Sequence, residues 1–200
     1  MDDFGRLVVL MIEPHQLVRR IMRDILRVIG VGETHAVDTI EDAYGWLKTS
    51  HADVVMVDWS SATDAMGLLR LLRAEDSPNP YVPVIVVSAF GDREHVREAR
   101  DAGADEYMLK PFAPQTVVAR MRAIVEHPRL FVKAEQFAGP DRRRHRSLDF
   151  PGPERRRETH FVDRRFHAQS FAGPDRRRRR PLQAVKRAPS PAPQQPPVQH

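Results

Sequence analysis

The chain contains no cysteine. Disulfides, thiolate metal sites and thiol catalysis are therefore excluded. No apolar run approaches the roughly 20 residues that a membrane span requires, and the start lacks the basic and then apolar layout of a secretory leader. The expected location is cytoplasmic, with no membrane insertion. Lysine is scarce after residue 130, where only Lys133 and Lys186 occur amid many arginines. Branched aliphatic residues thin out over the same stretch.

These deficits divide the chain. Residues 1–130 carry 15 Lys and Arg against 20 Asp and Glu, net −5, whereas residues 131–200 carry 17 against 7, net +10. The overall +5 conceals that contrast. The first part is long enough for one domain with its own core, and the second cannot bury enough to fold alone. The expected organisation is a folded body over 1–130, an arginine-rich extension over 131–187 that is disordered without a ligand, and a disordered Pro/Gln-rich tail over 188–200.

The body alternates strand and helix patterns. Leu7 to Ile12 is a short continuous apolar run, as in a strand buried on both faces. Leu17, Val18, Ile21, Met22, Ile25 and Leu26 then recur at helical spacing, opposite Arg19, Arg20, Arg23 and Asp24. Four further pairs follow. His35–Val37 precedes Ile40–Leu47, Val54–Val57 precedes Ala65–Leu72, Val82–Val87 precedes Arg93–Ala102, and Tyr107–Leu109 precedes Thr116–Val125. Parallel neighbours need right-handed crossovers, so the expected class is α/β, a doubly wound five-stranded parallel sheet followed by a largely disordered arginine-rich tail. Ligands of such sheets sit at the carboxyl ends of the strands.

The residues at those ends carry chemistry. The first strand runs into Glu13, the third into Asp58, the fourth into Ser88-Ala89 and the fifth into Lys110-Pro111. With VDW at Val57–Trp59, AGADEYMLKPF at Ala102–Phe112 and the basic helix VRRIMRDIL at Val18–Leu26, residues 5 to about 127 resemble the receiver domain of bacterial response regulators, the flavodoxin-like CheY family. The resemblance implies Asp58 as phosphoacceptor, Ser88 and Lys110 as contacts of the phosphoryl group, and Tyr107 as the aromatic switch. A carboxylate that takes up a phosphoryl group needs a cation and a positioned donor nearby. Two departures from the pattern stand out. The family usually has two consecutive acids after the first strand, and here Glu13 is followed by Pro14. The implied Mg2+ site, Glu13 and Asp58 with a backbone carbonyl and waters, is weakened accordingly. After Asp58 the chain reads SSATDAMG (Ser60–Gly67) where a Met-Pro pair is usual. The body is thus also expected to serve as a docking surface around Phe90, Tyr107 and the fifth strand, with Phe112 simply packed. Outside this pocket no nucleophile with a base, and no cluster of catalytic acids, is evident, so an enzyme is not expected.

The extension repeats one phrase: GPDRRR at Gly139–Arg144, GPERRR at Gly152–Arg157 and GPDRRR at Gly173–Arg178, with a degraded copy at Asp163-Arg164-Arg165. Each full copy follows a phenylalanine, Phe137, Phe150 or Phe171. Fourteen arginines against six acids lie between Asp141 and Arg180. A solvated charge run is the plainest reading, but lysine would serve it as well, and arginine alone offers a planar, bidentate donor. Counterion-driven nucleic-acid binding does not account for the acid opening each cluster. A guanine does: arginine matches its O6/N7 edge, and an acid can accept from N1 and N2. Glycine before proline allows close backbone approach, and proline limits entropy. A short helical turn at each repeat is the structural alternative, too short to be stable alone. The phenylalanines, Phe161 and Phe166 included, either stack on bases or pack on the body. His145, His160 and His167 lack metal-ligand spacing.

Receiver and repeats together resemble the CheY-like cyclic di-GMP effectors. That resemblance implies cyclic di-GMP bound through Asp141, Arg142, Arg143, Arg144 and Arg146, through Glu154, Arg155, Arg156 and Arg157, and through Asp163, Arg164 and Arg165. It further implies docking on the flagellar motor switch, an effect on motility and surface attachment, and placement at the flagellated pole. The alternative is a conventional phosphoacceptor regulator whose tail binds acidic partners or RNA. A histidine kinase is a further candidate partner, and DNA binding is not expected.

Overall fold

Side chains of alternating parity along each inner strand enter two separate cores. In β1 (Val8–Ile12), Leu10 and Ile12 face one way and Val9 and Met11 the other; β3 (Val54–Trp59) divides Val55 and Val57 from Val54 and Met56. β4 (Val84–Ser88) does the same with Val84 and Val86 against Ile85 and Val87. Such strands read as unbroken apolar runs because both faces are covered. One core takes Ala43 and Leu47 of α2 (Ile40–Thr49), Leu68, Leu69 and Leu72 of α3 (Ala65–Arg73), and Ala99 of α4 (Arg93–Asp101). The other takes Met22 and Leu26 of α1 (Gln16–Val28) and Val117, Met121 and Ile124 of α5 (Pro114–Val125).

The computed structural model describes residues 4–134, 137–141 and 160–162. With β2 (Glu33–Val37) and β5 (Glu106–Leu109), the parallel sheet has the order β2-β1-β3-β4-β5. This is the flavodoxin-like arrangement expected from the alternation of strand and helix, and its switch point lies between β1 and β3. Most boundaries move by one or two residues from the sequence expectation, and two of the shifts have an evident cause. β4 begins at Val84 and not Val82; Pro83, which has no N–H to donate, stands just before it and contributes only its carbonyl, to Val55. β2 is longer than its weak pattern suggested, because it pairs with β1 over five residues, Val8↔Glu33 to Ile12↔Val37.

The chain does not leave the body at residue 130. β6 (Phe131–Ala134) and β7 (Phe137–Pro140) form an antiparallel pair, and β8 (His160–Val162) adds to the other edge of β6, giving the order β7-β6-β8. Phe131 is 1% exposed, edge-on to Tyr81 at 5.0 Å between ring centroids, and the Arg73 guanidinium lies 5.4 Å from its centroid. Burying such a side chain contributes about 1.5–3 kcal/mol. Lys133 also pairs with Glu75 at 2.7 Å. One aromatic anchor therefore holds a segment whose composition alone gave no hint of a fold.

Arg73 is the fixed point of that contact. Its Nε and Nη2 donate to the Gly103 carbonyl at 3.3 and 3.0 Å, and its Nη1 donates to Pro80 and Val82 carbonyls, both at 2.9 Å. Asp105 Oδ2 lies 3.4 Å from Nη2 and accepts the Val84 N–H at 3.0 Å. A buried guanidinium is tolerated because its donors are met. These bonds cluster where β4 and β5 begin, so the hairpin sits at the end of the sheet opposite Asp58.

Candidate functional site

Glu13, Asp58 and Lys110 arrive at one point because β1, β3 and β5 are parallel and end at the same level. Lys110 Nζ donates to Glu13 Oε2 and to Asp58 Oδ1, each at 2.7 Å. Glu13 is 4% exposed and Asp58 3%. Two nearly buried carboxylates so close are tolerable only with a cation between them. Burial pulls the Lys110 ammonium downward, but hydrogen bonds to Asp58 and Glu13 outweigh that and leave its pKa raised. The Lys110–Pro111 peptide is cis.

The remaining carboxylate oxygens are also engaged. Ser60 Oγ donates to Asp58 Oδ2 at 2.7 Å, and the His15 N–H donates to Glu13 Oε1 at 3.0 Å. Arg19 donates to the Glu13 carbonyl at 3.1 Å and pairs with Asp38. Ser60 and His15 escaped the sequence reading. Ser60 lies in the SSATDAMG stretch noted only as a departure, and the available signal was a hydroxyl two residues after the acid. His15 meets the same Glu13 oxygen with its ring Nδ1 as well, at 3.3 Å, and the available signal was a histidine two residues after the acid.

Ser88 and Tyr107 form a second group beside this one. Ser88 is fully buried; its Oγ donates to the Trp59 carbonyl at 2.8 Å and accepts the Phe90 N–H at 3.2 Å. Its hydroxyl thus faces backbone groups at the ends of β3 and β4. Tyr107 donates its hydroxyl to the Phe90 carbonyl at 2.7 Å. Burial raises the Tyr107 pKa; the Ser88 hydroxyl acts against that rise, and the Asp92 charge adds to it. Trp59 meets Phe90 edge-on at 6.0 Å and Tyr107 edge-on at 6.4 Å, while Phe90 stacks on His95 at 4.5 Å. Phe90 remains 39% exposed. The residues around Phe90 and Tyr107, expected from the sequence to dock a partner, lie in a connected aromatic patch that also takes in Trp59 and His95.

For a divalent cation the donor set is thin but serviceable. No group of three or more His, Cys, Asp or Glu is suited to a metal among the described residues. Glu13 and Asp58 nevertheless present oxygens on either side of one ammonium, and Mg2+ is commonly held by one or two carboxylates with several waters. Pro14 supplies no third carboxylate.

Of the residues expected to bind a nucleotide, Asp141 is described: its N–H donates to the Leu130 carbonyl at 2.7 Å. Arg142, Arg143, Arg144, Arg146, Glu154, Arg155, Arg156, Arg157, Asp163, Arg164 and Arg165 lie outside the described residues. So does the Pro/Gln-rich tail. Gly139 and Pro140 of the first repeat are buried against the body.

Among known protein families, the response regulator receiver domain matches residues 9–122. Chemotaxis protein CheY-3 of Vibrio cholerae serotype O1 is 30% identical over 119 residues, 59% of this chain and 91% of that protein. Chemotaxis protein CheY of Pseudomonas aeruginosa is 29% identical over 119 residues, 59% of this chain and 95% of that protein. Two solved structures share the fold. Chemotaxis response regulator CheY4 of Vibrio cholerae gives a TM-score of 0.54 at 18% identity, over 60% of this chain and 98% of that one. The receiver domain of a sensor histidine kinase from Pseudomonas aeruginosa PAO1, solved with a magnesium ion coordinated in its active site cleft, gives 0.52 at 20% identity, over 58% and 94%. Acid, acid and lysine converging at the carboxyl ends of a β2-β1-β3-β4-β5 sheet agree with these relatives, and the chain belongs to the response regulator receiver domain family.

Proposed function

We propose that this protein is a CheY-like signalling effector whose arginine-rich extension captures cyclic di-GMP and thereby alters how the receiver body docks on the flagellar motor switch, tuning motility and surface attachment. The observation that carries this reading is the Gly-Pro-acid-Arg-Arg-Arg repeat, whose first copy enters from a strand seated on the receiver. An acid beside each arginine triplet suits the two edges of guanine and is unfavourable against a bare phosphate backbone. The chemotaxis proteins among its relatives support a motor partner. The action takes place in the cytoplasm at the flagellated pole, and no helix among the described residues is long and apolar enough to cross a membrane. The test is calorimetric titration of the full chain with cyclic di-GMP, GTP and a random oligonucleotide. Binding selective for cyclic di-GMP, lost when Arg142–Arg144 and Arg155–Arg157 become Ala, is expected. Steep salt dependence with no preference for guanine would refute it.

A second reading is favoured by the Glu13–Lys110–Asp58 cluster: Asp58 accepts a phosphoryl group from a histidine kinase. An Asp58 oxygen forms the new P–O bond as the P–N bond to the donor imidazole breaks, and Lys110 offsets the added charge. Glu13 and Asp58 would hold the Mg2+ that such a pocket uses, and the bound ion supplies charge neutralisation at the phosphoryl oxygens. Ser88 reaches that group only after exchanging its present bond to the Trp59 carbonyl. The two readings are compatible, since the pocket and the hairpin occupy opposite ends of the sheet.

A further inference from the structure

The turn between β3 and α3 places one hydroxyl on the oxygen of Asp58 that Lys110 does not hold. Ser60 Oγ donates to Asp58 Oδ2 at 2.7 Å, while Oδ1 accepts from Lys110 Nζ at 2.7 Å. Backbone bonds fix that hydroxyl. The Ser60 carbonyl accepts the Thr63 N–H at 3.3 Å, the two residues form an isolated antiparallel bridge, and Thr63 is 5% exposed. Asp64 then caps α3 by accepting the Gly67 N–H at 2.8 Å. Ser60 Oγ also accepts the Ala62 N–H at 3.3 Å, so its own proton is directed at Asp58. The neighbouring Ser61 is exposed.

Asp58 thus has two donors of different kinds. Lys110 also serves Glu13, and a flexible ammonium can follow negative charge onto a phosphoryl oxygen. The Ser60 hydroxyl is held by its turn and stays in place. Oδ1 is accordingly the oxygen suited to carry a phosphoryl group, which leaves Oδ2 as the carbonyl oxygen of the acyl phosphate, with Ser60 still on it. A hydrogen bond to an ionised acceptor is roughly twice as strong as one to a neutral acceptor. Ser60 therefore favours the free carboxylate over the acyl phosphate.

Hydrolysis regenerates that carboxylate. Water attacks phosphorus, the P–Oδ1 bond breaks with its electron pair returning to Asp58, and the proton of the water passes to solvent as inorganic phosphate leaves. Phosphoryl transfer runs through a loose transition state, in which the departing oxygen has regained most of its charge and the incoming oxygen has bonded little. The stronger Ser60 bond is thus already made in the transition state for loss of the group, and is hardly weakened in that for its arrival.

We propose that Ser60 sets the lifetime of the phosphoryl group on Asp58, hastening its hydrolysis by stabilising the departing carboxylate while leaving its formation nearly untouched. The inference rests on the reading that Asp58 is the phosphoacceptor. It adds the group that limits how long the phosphorylated state persists.

The test labels the full chain with acetyl phosphate and Mg2+, removes the donor, and follows the phosphorylated fraction by intact mass. S60A is expected to lengthen the half-life about fivefold or more, with the initial labelling rate within about twofold of wild type, as loss of a hydrogen bond to a charged group implies. S60T, which restores the hydroxyl, returns the half-life to that of wild type, and S61A changes neither rate. Retention of the unfolding midpoint checks that the variants fold. An S60A half-life that is unchanged or shorter overturns the assignment. So does an equal change in formation and loss, the mark of a merely structural effect, and so does failure of S60T to restore the half-life. If the wild-type chain takes up no phosphoryl group, or D58N takes up as much, the reading of Asp58 as acceptor falls and the role of Ser60 with it.

Discussion

Gly139 and Gly103 meet backbone to backbone: a Cβ added to Gly139 would lie 2.9 Å from the Cα of Gly103, and one added to Gly103 would lie 2.8 Å from the Ala138 carbonyl oxygen. The glycine of the first arginine repeat thus spends its small size on the receiver. The same residue type read from sequence as room for a ligand is room for the protein's own α4–β5 turn. The extension is consequently fixed to the body at the very point where its first charged cluster begins.

Gly139→Ala is therefore expected to loosen the hairpin, with faster amide exchange at Ala138 and Asp141 and little change in the parallel sheet. Gly103→Ala does more harm, because Gly103 also has φ +99°. A non-glycine residue there costs on the order of 1–3 kcal/mol. Denaturant unfolding with hydrogen exchange separates the two: loss confined to the hairpin for the first, a lowered midpoint for the whole body for the second.

Lys110→Ala leaves Glu13 and Asp58 facing each other almost out of water. Removing one partner of such a buried arrangement typically costs about 3–5 kcal/mol. Adding Asp58→Asn to that variant should recover a large part of the loss, whereas the two changes would simply add if the residues were independent. Thermal melts of the cycle decide this. The raised pKa of Lys110 fixes the sign of the pH effect: its stabilisation is complete below the ordinary lysine value of 10.5 and disappears as pH rises through its higher folded value.

Asp92 caps α4, accepting the Glu94 and His95 N–H groups on Oδ1 at 3.1 and 3.0 Å and facing His95 Nδ1 at 2.6 Å. The His95 N–H, then its ring, hold the carboxyl at about 2, below the usual 3.8. A depressed carboxylate stabilises fully above its unfolded value and loses that effect as pH falls through the folded one. The Asp92 side-chain carboxyl carbon shift should stay constant down to about pH 4 and change as pH approaches about 2, while the amide shifts of the first turn of α4 report the cap itself. Asp92→Ala should shift them at neutral pH. An apparent midpoint near 4 would show that the cap does not hold the carboxylate.

Incubation with a small phosphodonor and Mg2+ is expected to add one phosphoryl group to the chain. Asp58→Asn abolishes the addition and Glu13→Gln slows it, since Glu13 is the other carboxylate on Lys110. Intact-mass measurement reads both. Equal labelling of Asp58→Asn would move the acceptor elsewhere.

The Gly-Pro-Asp-Arg-Arg-Arg phrase, the strand-end residues Glu13, Asp58, Ser88 and Lys110, and the parallel sheet were legible in the linear chain because each is a local signal: apolar runs four to six residues long, helices with one apolar face, and polar residues where runs stop. Ser60 and the Trp59–Phe90–His95 patch were less legible, since a contact between β3, the turn after β4 and α4 depends on register. What only tertiary structure decided is the seat of the hairpin. Phe131 lies 50 residues from Tyr81 and 58 from Arg73, and nothing periodic marks them. They meet because Arg73, fixed by carbonyls at the start of β4 and β5, offers a flat cation that one aromatic ring can cover, and that burial outweighs the scarcity of apolar residues in the strands around it.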